Sequence, residues 1–188
     1  INFIKSFTIT IDTTIIKPAA YRPPLYTVFL SILLILTNYK IFYIQILQII
    51  LSLFTCILVT RISFLINKKI TKIVLILSIF SPFNAIYSNV LLSEILTTFF
   101  LILFIFFLYK KNTFSLILGG ACIGLCCLTR DSFLLLSPFI CFLYLLFSNQ
   151  KNNKKFLNIF IILFASIVII TPWTYRNYHH FNKFIPIS

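Results

Sequence analysis

Acidic residues are nearly missing from this chain: Asp12, Glu94 and Asp131 are the three carboxylates among 188 residues. Charge of either sign is scarce at 10% of residues, while 60% are hydrophobic and the mean hydropathy is +1.05. A soluble domain carries about 25% charged residues and about half apolar ones, so that class is excluded. Glycine occurs three times and methionine not at all. No CxxC pair and no histidine cluster accompanies the five cysteines, Cys56, Cys122, Cys126, Cys127 and Cys141. All five lie in apolar runs, which sets aside zinc sites and a disulfide framework and leaves small buried hydrophobes. Residues 1–21 show no signal-peptide pattern of basic start, apolar centre and small-residue cleavage site.

What is present is a series of apolar runs from Leu25 to Ile170. Recurrent apolar stretches of near-spanning length define a polytopic helical membrane protein. The net charge of +13 then reads as topology rather than as a nucleic-acid footprint, since no basic face of a soluble domain is visible. Lys68, Lys69 and Lys72, then Lys110 and Lys111, then Lys151, Lys154 and Lys155 occupy three short loops. The positive-inside rule places those loops in the cytoplasm.

The runs predict an all-α architecture of about six spans and one interfacial helix. Residues 1–21 form an outer-face segment. The helix over 24–37 is entered through Pro23-Pro24, and at roughly 13 residues it covers about 20 Å, short of the ~30 Å hydrocarbon core. It is therefore placed at the interface, with a tilted or re-entrant span as the alternative. Spans follow at about 43–66, 73–92, 95–109, 114–128, 133–147 and 156–171, and an outer-face tail at 173–188. Ser81-Pro82-Phe83-Asn84 should kink the second span or end it early. Gly119, Gly120 and Gly124 should let neighbouring helices approach closely. With the lysine loops inside, Arg22, Glu94, Arg130, Asp131 and Arg176 all fall on the opposite face.

Ionisable groups at the edges of spans are costly to place and point to function. Each also has a plain reading. Glu94 follows Ser93 and suits a helix N-terminus, where acids favour the macrodipole. Arg130 and Asp131 could pair with each other, and Arg176 could be a flanking charge beside the interfacial Trp173. The adjacent His179 and His180 point in different directions and make a poor metal pair. Together, an acid and several arginines at one surface suit a phosphate-bearing lipid. Arginine binds phosphate oxygens bidentately, and a carboxylate can orient or deprotonate a hydroxyl acceptor.

Four segments carry a family resemblance. Ala20-Tyr21-Arg22-Pro23-Pro24-Leu25-Tyr26 resembles the R/K-P-P-L/G-Y element of membrane glycosyltransferases with the GT-C fold. Leu91-Leu92-Ser93-Glu94-Ile95-Leu96 is similar to their L-x-T/S-E/D-x-L element, and the run from Gly120 to Arg130 to G-x-x-x-G-L-x-x-L-T-R. Thr171-Pro172-Trp173-Thr174-Tyr175-Arg176-Asn177-Tyr178 resembles x-P-W-x-x-R-N-Y, followed by the segment Phe184 to Ser188. The pattern looks most like the protein-mannosyltransferase-like superfamily, glycosyltransferase family 39 with its aminoarabinose transferase-like relatives.

That resemblance implies an enzyme moving a sugar from a polyprenyl-phosphate carrier to a lipid, glycan or protein acceptor. The reaction would run on the periplasmic or outer face of a bacterial inner membrane. Glu94 takes the catalytic position, and Arg22, Tyr26, Arg130 and Arg176 the substrate-binding ones. No cofactor is required by the pattern, although a divalent metal is compatible with it. Relatives also carry an acid in their first outer loop, well before the Arg-Pro-Pro element. Asp12, ten residues ahead of Arg22, is too close to match it. The chain is thus expected to be an N-terminally truncated member, lacking part of the site. The alternatives are a catalytically incomplete fragment and a transporter or flippase for a phosphate-bearing lipid.

Overall fold

The structure, a computed structural model, describes residues 22–81, 90–110, 112–135, 137–140 and 152–188. Every regular element among them is a helix. Outside the described residues lie Asp12 and the segment 1–21, Pro82 to Asn84, Lys111, Cys141 and the rest of the span expected to reach residue 147, and Lys151.

Helix α1, Pro24–Leu36, opens with proline at its first turn, where a missing N–H leaves no hydrogen bond unmade. Asn38 and Tyr39 take positive φ of 49° and 62° and turn the chain into α2, Ile41–Ile66. That helix stops at Asn67, whose side chain accepts a hydrogen bond from the Lys69 amide at 2.9 Å. Helix α3, Thr71–Ile79, ends ahead of Ser81-Pro82. A residue preceding proline is pushed out of the α region, and the interruption expected at Ser81-Pro82-Phe83-Asn84 within the span over 73–92 is met by a helix that ends at Ile79. Residues 90–93 are again non-helical.

Helix α4, Glu94–Lys110, and α5, Thr113–Thr129, bracket a tight loop. The Asn112 side chain caps α5 by accepting from the Ser115 amide at 2.8 Å. Residues 133–135 and 137–140 are helical. The last element, α6, runs Asn152–Phe181 with Pro172 inside it, where the sequence predicts a stop at residue 171 and a polar tail. Beside the proline, Thr171 and Thr174 hydroxyls donate to the carbonyls of Ile167 at 2.7 Å and Ile170 at 3.3 Å. Hydroxyl bonds of this kind support proline-containing helices in apolar surroundings.

The side-chain contacts set helix directions. Cys56 donates to the Ser78 carbonyl at 3.4 Å, which makes α2 and α3 antiparallel. Tyr109 donates to the Leu65 carbonyl at 2.8 Å, joining the ends of α4 and α2, which run in parallel. Helix α4 is antiparallel to α5, with Thr97 against Thr129 and Phe104 against Gly119. Helices α5 and α6 are parallel: Gly120 faces Ile162 and Ala165, and Gly124 faces Ser166 and Ile169. A Cβ built at Gly120 would stand 2.8 Å from the Ala165 Cβ and closer still to the Ile162 carbonyl oxygen. The close approach expected of these glycines is therefore present.

The interior is mainly apolar, with Ile44, Phe104, Leu116, Ile123 and Ile162 buried, and it also takes in Gln48, Thr97, Thr129, Ser166 and Asn177. The exterior is apolar too: Leu53, Phe54, Ile57, Leu77, Phe80, Phe160 and Phe164 are exposed. An apolar exterior of this extent fits lipid as solvent. Helices α2 and α6 are long and apolar enough, by length and composition, to cross a membrane. At 13 residues α1 covers about 20 Å and is too short to do so upright.

Candidate functional site

Helix directions bring the unusual polar residues to one end of the bundle. Glu94 stands in the first turn of α4, after a Ser93 carbonyl that accepts the helix's opening bond from Thr97 N at 3.0 Å. The helix-terminus reading of this acid therefore holds alongside any other. Arg130 leaves the last residue of α5 in an extended conformation (φ −148°, ψ 121°) and reaches across. Its Nη1 donates to Glu94 Oε1 at 3.0 Å.

The pairing of Arg130 with its neighbour Asp131 does not form. Asp131 Oδ1 accepts from the Ser132 amide at 2.9 Å and Oδ2 from the Ser188 hydroxyl at 3.0 Å. An arginine in extended backbone at a helix end points away from the following residue, and the acid on the adjacent helix lies within its reach. The other Glu94 oxygen, Oε2, is buried and has no hydrogen-bond partner. A carboxylate oxygen held without a donor retains a large unmet acceptor capacity.

Two buried hydroxyls support the pair from behind. Thr97 Oγ1 lies 3.0 Å from Thr129 Oγ1, which itself donates to the Cys126 carbonyl at 2.7 Å. Cys126 Sγ in turn approaches the Thr97 carbonyl at 3.6 Å. These bonds clamp the start of α4 to the end of α5 one turn away from the ion pair. Sequence reasoning did not single out Thr97. Its signal was a hydroxyl three residues after an acid, on the same helix face.

Tyr26, in the first turn of α1, accepts a hydrogen bond from Gln48 Nε2 of α2 at 3.4 Å. Burial pushes the Tyr26 phenol above the usual tyrosine range; the Gln48 bond opposes this and the Glu94 charge adds to it. Tyr26 and Glu94 thus share one electrostatic neighbourhood. Gln48 is fully buried with Oε1 unpartnered, an amide within an apolar run that its polarity alone could have marked. Arg22 is exposed just ahead of α1, one turn's worth of chain from Tyr26.

Arg176 is held differently. Its guanidinium lies over the Trp173 ring at 4.6 Å and the Phe181 ring at 6.0 Å, and donates to Asn177 Oδ1 at 3.0 Å. The surrounding motif secures the chain terminus. Asn182, at positive φ of 51°, ends α6 and turns the tail back along it. Trp173 Nε1 then donates to the Ile187 carbonyl at 2.9 Å, and Thr174 to the Pro186 carbonyl at 2.9 Å. Asn177, fully buried, donates to Ile185 at 3.2 Å and Ile187 at 3.1 Å. Between this tail, α6 and the helical segment starting at Phe133 lies an apolar cavity of about 530 Å³, lined by Leu134, Ile167, Ile170, Tyr175 and Phe184 among others.

Among the described residues no three His, Cys, Asp or Glu side chains come together as metal ligands. Glu94 Oε1 is engaged by Arg130, and Asp131 by the Ser132 amide and the Ser188 hydroxyl. His179 and His180 are exposed, edge to face at 5.8 Å.

An all-helical bundle with an apolar exterior, carrying an acid and its arginine at one end, defines a membrane protein whose polar chemistry is gathered at one surface. The chain belongs to the Alg9-like mannosyltransferase family, whose sequence model matches residues 13–186. It is therefore a membrane glycosyltransferase of GT-C type that uses a lipid-linked sugar donor. This corrects the expected placement. The GT-C class stands, but the family is Alg9-like and not family 39 or its aminoarabinose transferase relatives. No curated protein and no solved structure matches the chain.

Proposed function

We propose that the chain transfers a sugar, mannose by family, from a polyprenyl-phosphate carrier to a lipid-linked acceptor, with Glu94 as the general base. The observation carrying this reading is the division of labour within one carboxylate. Oε1 is held by Arg130 at 3.0 Å, and Oε2 is buried without a partner. The free oxygen is suited to accept the proton of an acceptor hydroxyl. As that O–H bond breaks, the hydroxyl oxygen bonds to the sugar anomeric carbon, and the carbon–oxygen bond to the carrier phosphate breaks with inversion. The phosphate leaves with the electron pair of that bond.

Cations belong where that charge develops. Arg22 is exposed beside the same end of the bundle and is the proposed phosphate ligand. Arg130 orients Glu94, and Tyr26 forms part of the acceptor wall. Arg176, stacked on Trp173, contributes positive potential while its geometry serves the C-terminal fold. The cavity of about 530 Å³ beside Ile167 and Ile170 suits an isoprenoid tail. The lysine loops, read as cytoplasmic by the positive-inside rule, put the reaction on the non-cytoplasmic face.

The test is transfer from a polyprenyl-phosphate sugar by the full-length protein in proteoliposomes. Glu94→Gln preserves the Arg130 bond and removes the base, so kcat should fall by roughly 10²–10⁴-fold. Arg22→Ala should raise KM for the donor. Wild-type transfer by both variants would overturn the assignment.

A further inference from the structure

The opposite end of the bundle holds a second polar feature, remote from the Glu94 site. Helices α2 and α4 run in parallel there and diverge around a cavity of about 500 Å³ lined by Arg61, Phe64, Leu65, Phe106, Tyr109 and Lys110. Tyr109 closes its floor by donating to the Leu65 carbonyl at 2.8 Å. Two cations sit on its aromatic walls: Lys110 Nζ lies 5.0 Å from the Phe106 ring centre and Lys68 Nζ 5.2 Å from that of Phe64.

Arg61 is the unusual member. It lies five residues inside the end of the 26-residue helix α2, about 7.5 Å below that end. Its side chain is exposed, among Ile57, Phe64 and Leu65, which are exposed too. Among the described residues no carboxylate stands near it. Glu94 begins α4 and Lys110 ends it, which separates the acid from this cavity by about 24 Å. Asp131 is bound to Ser188 at that same far end. A guanidinium set inside an apolar belt favours an anionic partner, and neither described acid is in a position to be one.

We propose that this groove binds one anionic glycerophospholipid of the surrounding bilayer, its phosphate held by Arg61 and Lys110 and its acyl chain lying along Phe64 and Phe106. The guanidinium fork matches two phosphate oxygens, and Lys110 and Lys68 supply point charges at the rim. The depth of Arg61 distinguishes a membrane lipid from a soluble anion. A phosphodiester with attached acyl chains sits below the water interface, and inorganic phosphate does not. Basic pockets between helices at a membrane's cytoplasmic side take anionic headgroups by the same logic. The inference is independent of the catalytic assignment, since it uses none of the residues at the Glu94 end.

The full chain would be reconstituted in nanodiscs of phosphatidylcholine containing a minor fraction of phosphatidylglycerol, then extracted and weighed by native mass spectrometry. Wild type should retain one phosphatidylglycerol in preference to phosphatidylcholine. Arg61→Gln should lower that retention about tenfold or more, the weight of a charge-assisted hydrogen bond. Arg61→Lys should recover part of it, and Glu94→Gln should leave it unchanged. Lys110→Gln, at the helix end, should also lower retention and carries the test should Arg61→Gln fail to insert. Equal retention of the two lipids, unchanged retention in the Arg61 and Lys110 variants, or displacement of the lipid by millimolar inorganic phosphate would each overturn the proposal.

Discussion

The hydroxyls of Thr97 and Thr129 meet at 3.0 Å in the buried seam between α4 and α5. They lie directly behind the Glu94–Arg130 pair, and Thr129 passes its own proton toward the Cys126 carbonyl at 2.7 Å. The ion pair therefore rests on a dry, hydrogen-bonded base rather than on loops.

Replacing either threonine by valine keeps the shape and removes a donor. Each substitution should cost about 1 kcal/mol, and the double variant should cost less than the sum, because the two hydroxyls serve each other. Thermal unfolding of the four proteins in one detergent measures the coupling. A strictly additive result would show that the contact contributes nothing of its own.

Arg130→Ala separates stability from catalysis. The pair is partly exposed, so its loss should cost well under about 1 kcal/mol after solvent screening. Transfer should nevertheless fall by at least about tenfold, since Glu94 loses the group that orients it. Arg130→Lys should restore part of the rate. Melting temperature and kcat measured on the same preparations decide the point.

Gly119 and Gly120 should respond unequally to alanine. At Gly120 the added Cβ meets the Ile162 backbone and the Ala165 Cβ at 2.8 Å, and neither can yield, so a loss of about 1–3 kcal/mol is expected. At Gly119 the nearest atom is a Phe104 ring carbon at 3.3 Å, which a small ring rotation relieves. Gly119→Ala should stay near wild type in a thermal melt while Gly120→Ala drops.

Asn177→Ala should loosen the segment 184–188. It removes the donor for the Ile185 and Ile187 carbonyls from a fully buried position, a loss of about 1–3 kcal/mol. Hydrogen exchange over residues 183–188 should accelerate, and the Trp173 fluorescence should shift as its Ile187 bond loosens.

Much of this was legible in the sequence, for identifiable reasons. Apolar runs give helix positions because membrane helices must satisfy their backbones internally. The limits of α2, α4 and α5 accordingly fall within a few residues of those expected. Lysine loops and acids sort to opposite ends because charges avoid the hydrocarbon. Less legible were the bonds between helices. Arg130 lies next to Asp131 in sequence yet pairs with Glu94, 36 positions away, because extended backbone after α5 turns the guanidinium toward α4. Pro172 suggested a stop, but the helix continues to Phe181, with Thr171 and Thr174, on either side of the proline, bonding to the Ile167 and Ile170 carbonyls. Arg61 carried no motif at all. Its meaning depends on depth within α2 and on the absence of a nearby acid among the described residues, and neither is local in sequence.

The parallel seam of α5 and α6 has a consequence for biogenesis. Gly120 finds Ile162 and Ala165 only after some forty further residues have been made. At ~5–20 residues per second this is roughly two to eight seconds of synthesis. During that interval the small-residue face of α5 stands open to lipid or to any other nascent helix, including the same face on a sister chain. Assembly in the cell thus depends on the pace of the ribosome and on whatever shields that face at the insertion site, as well as on the sequence of α6.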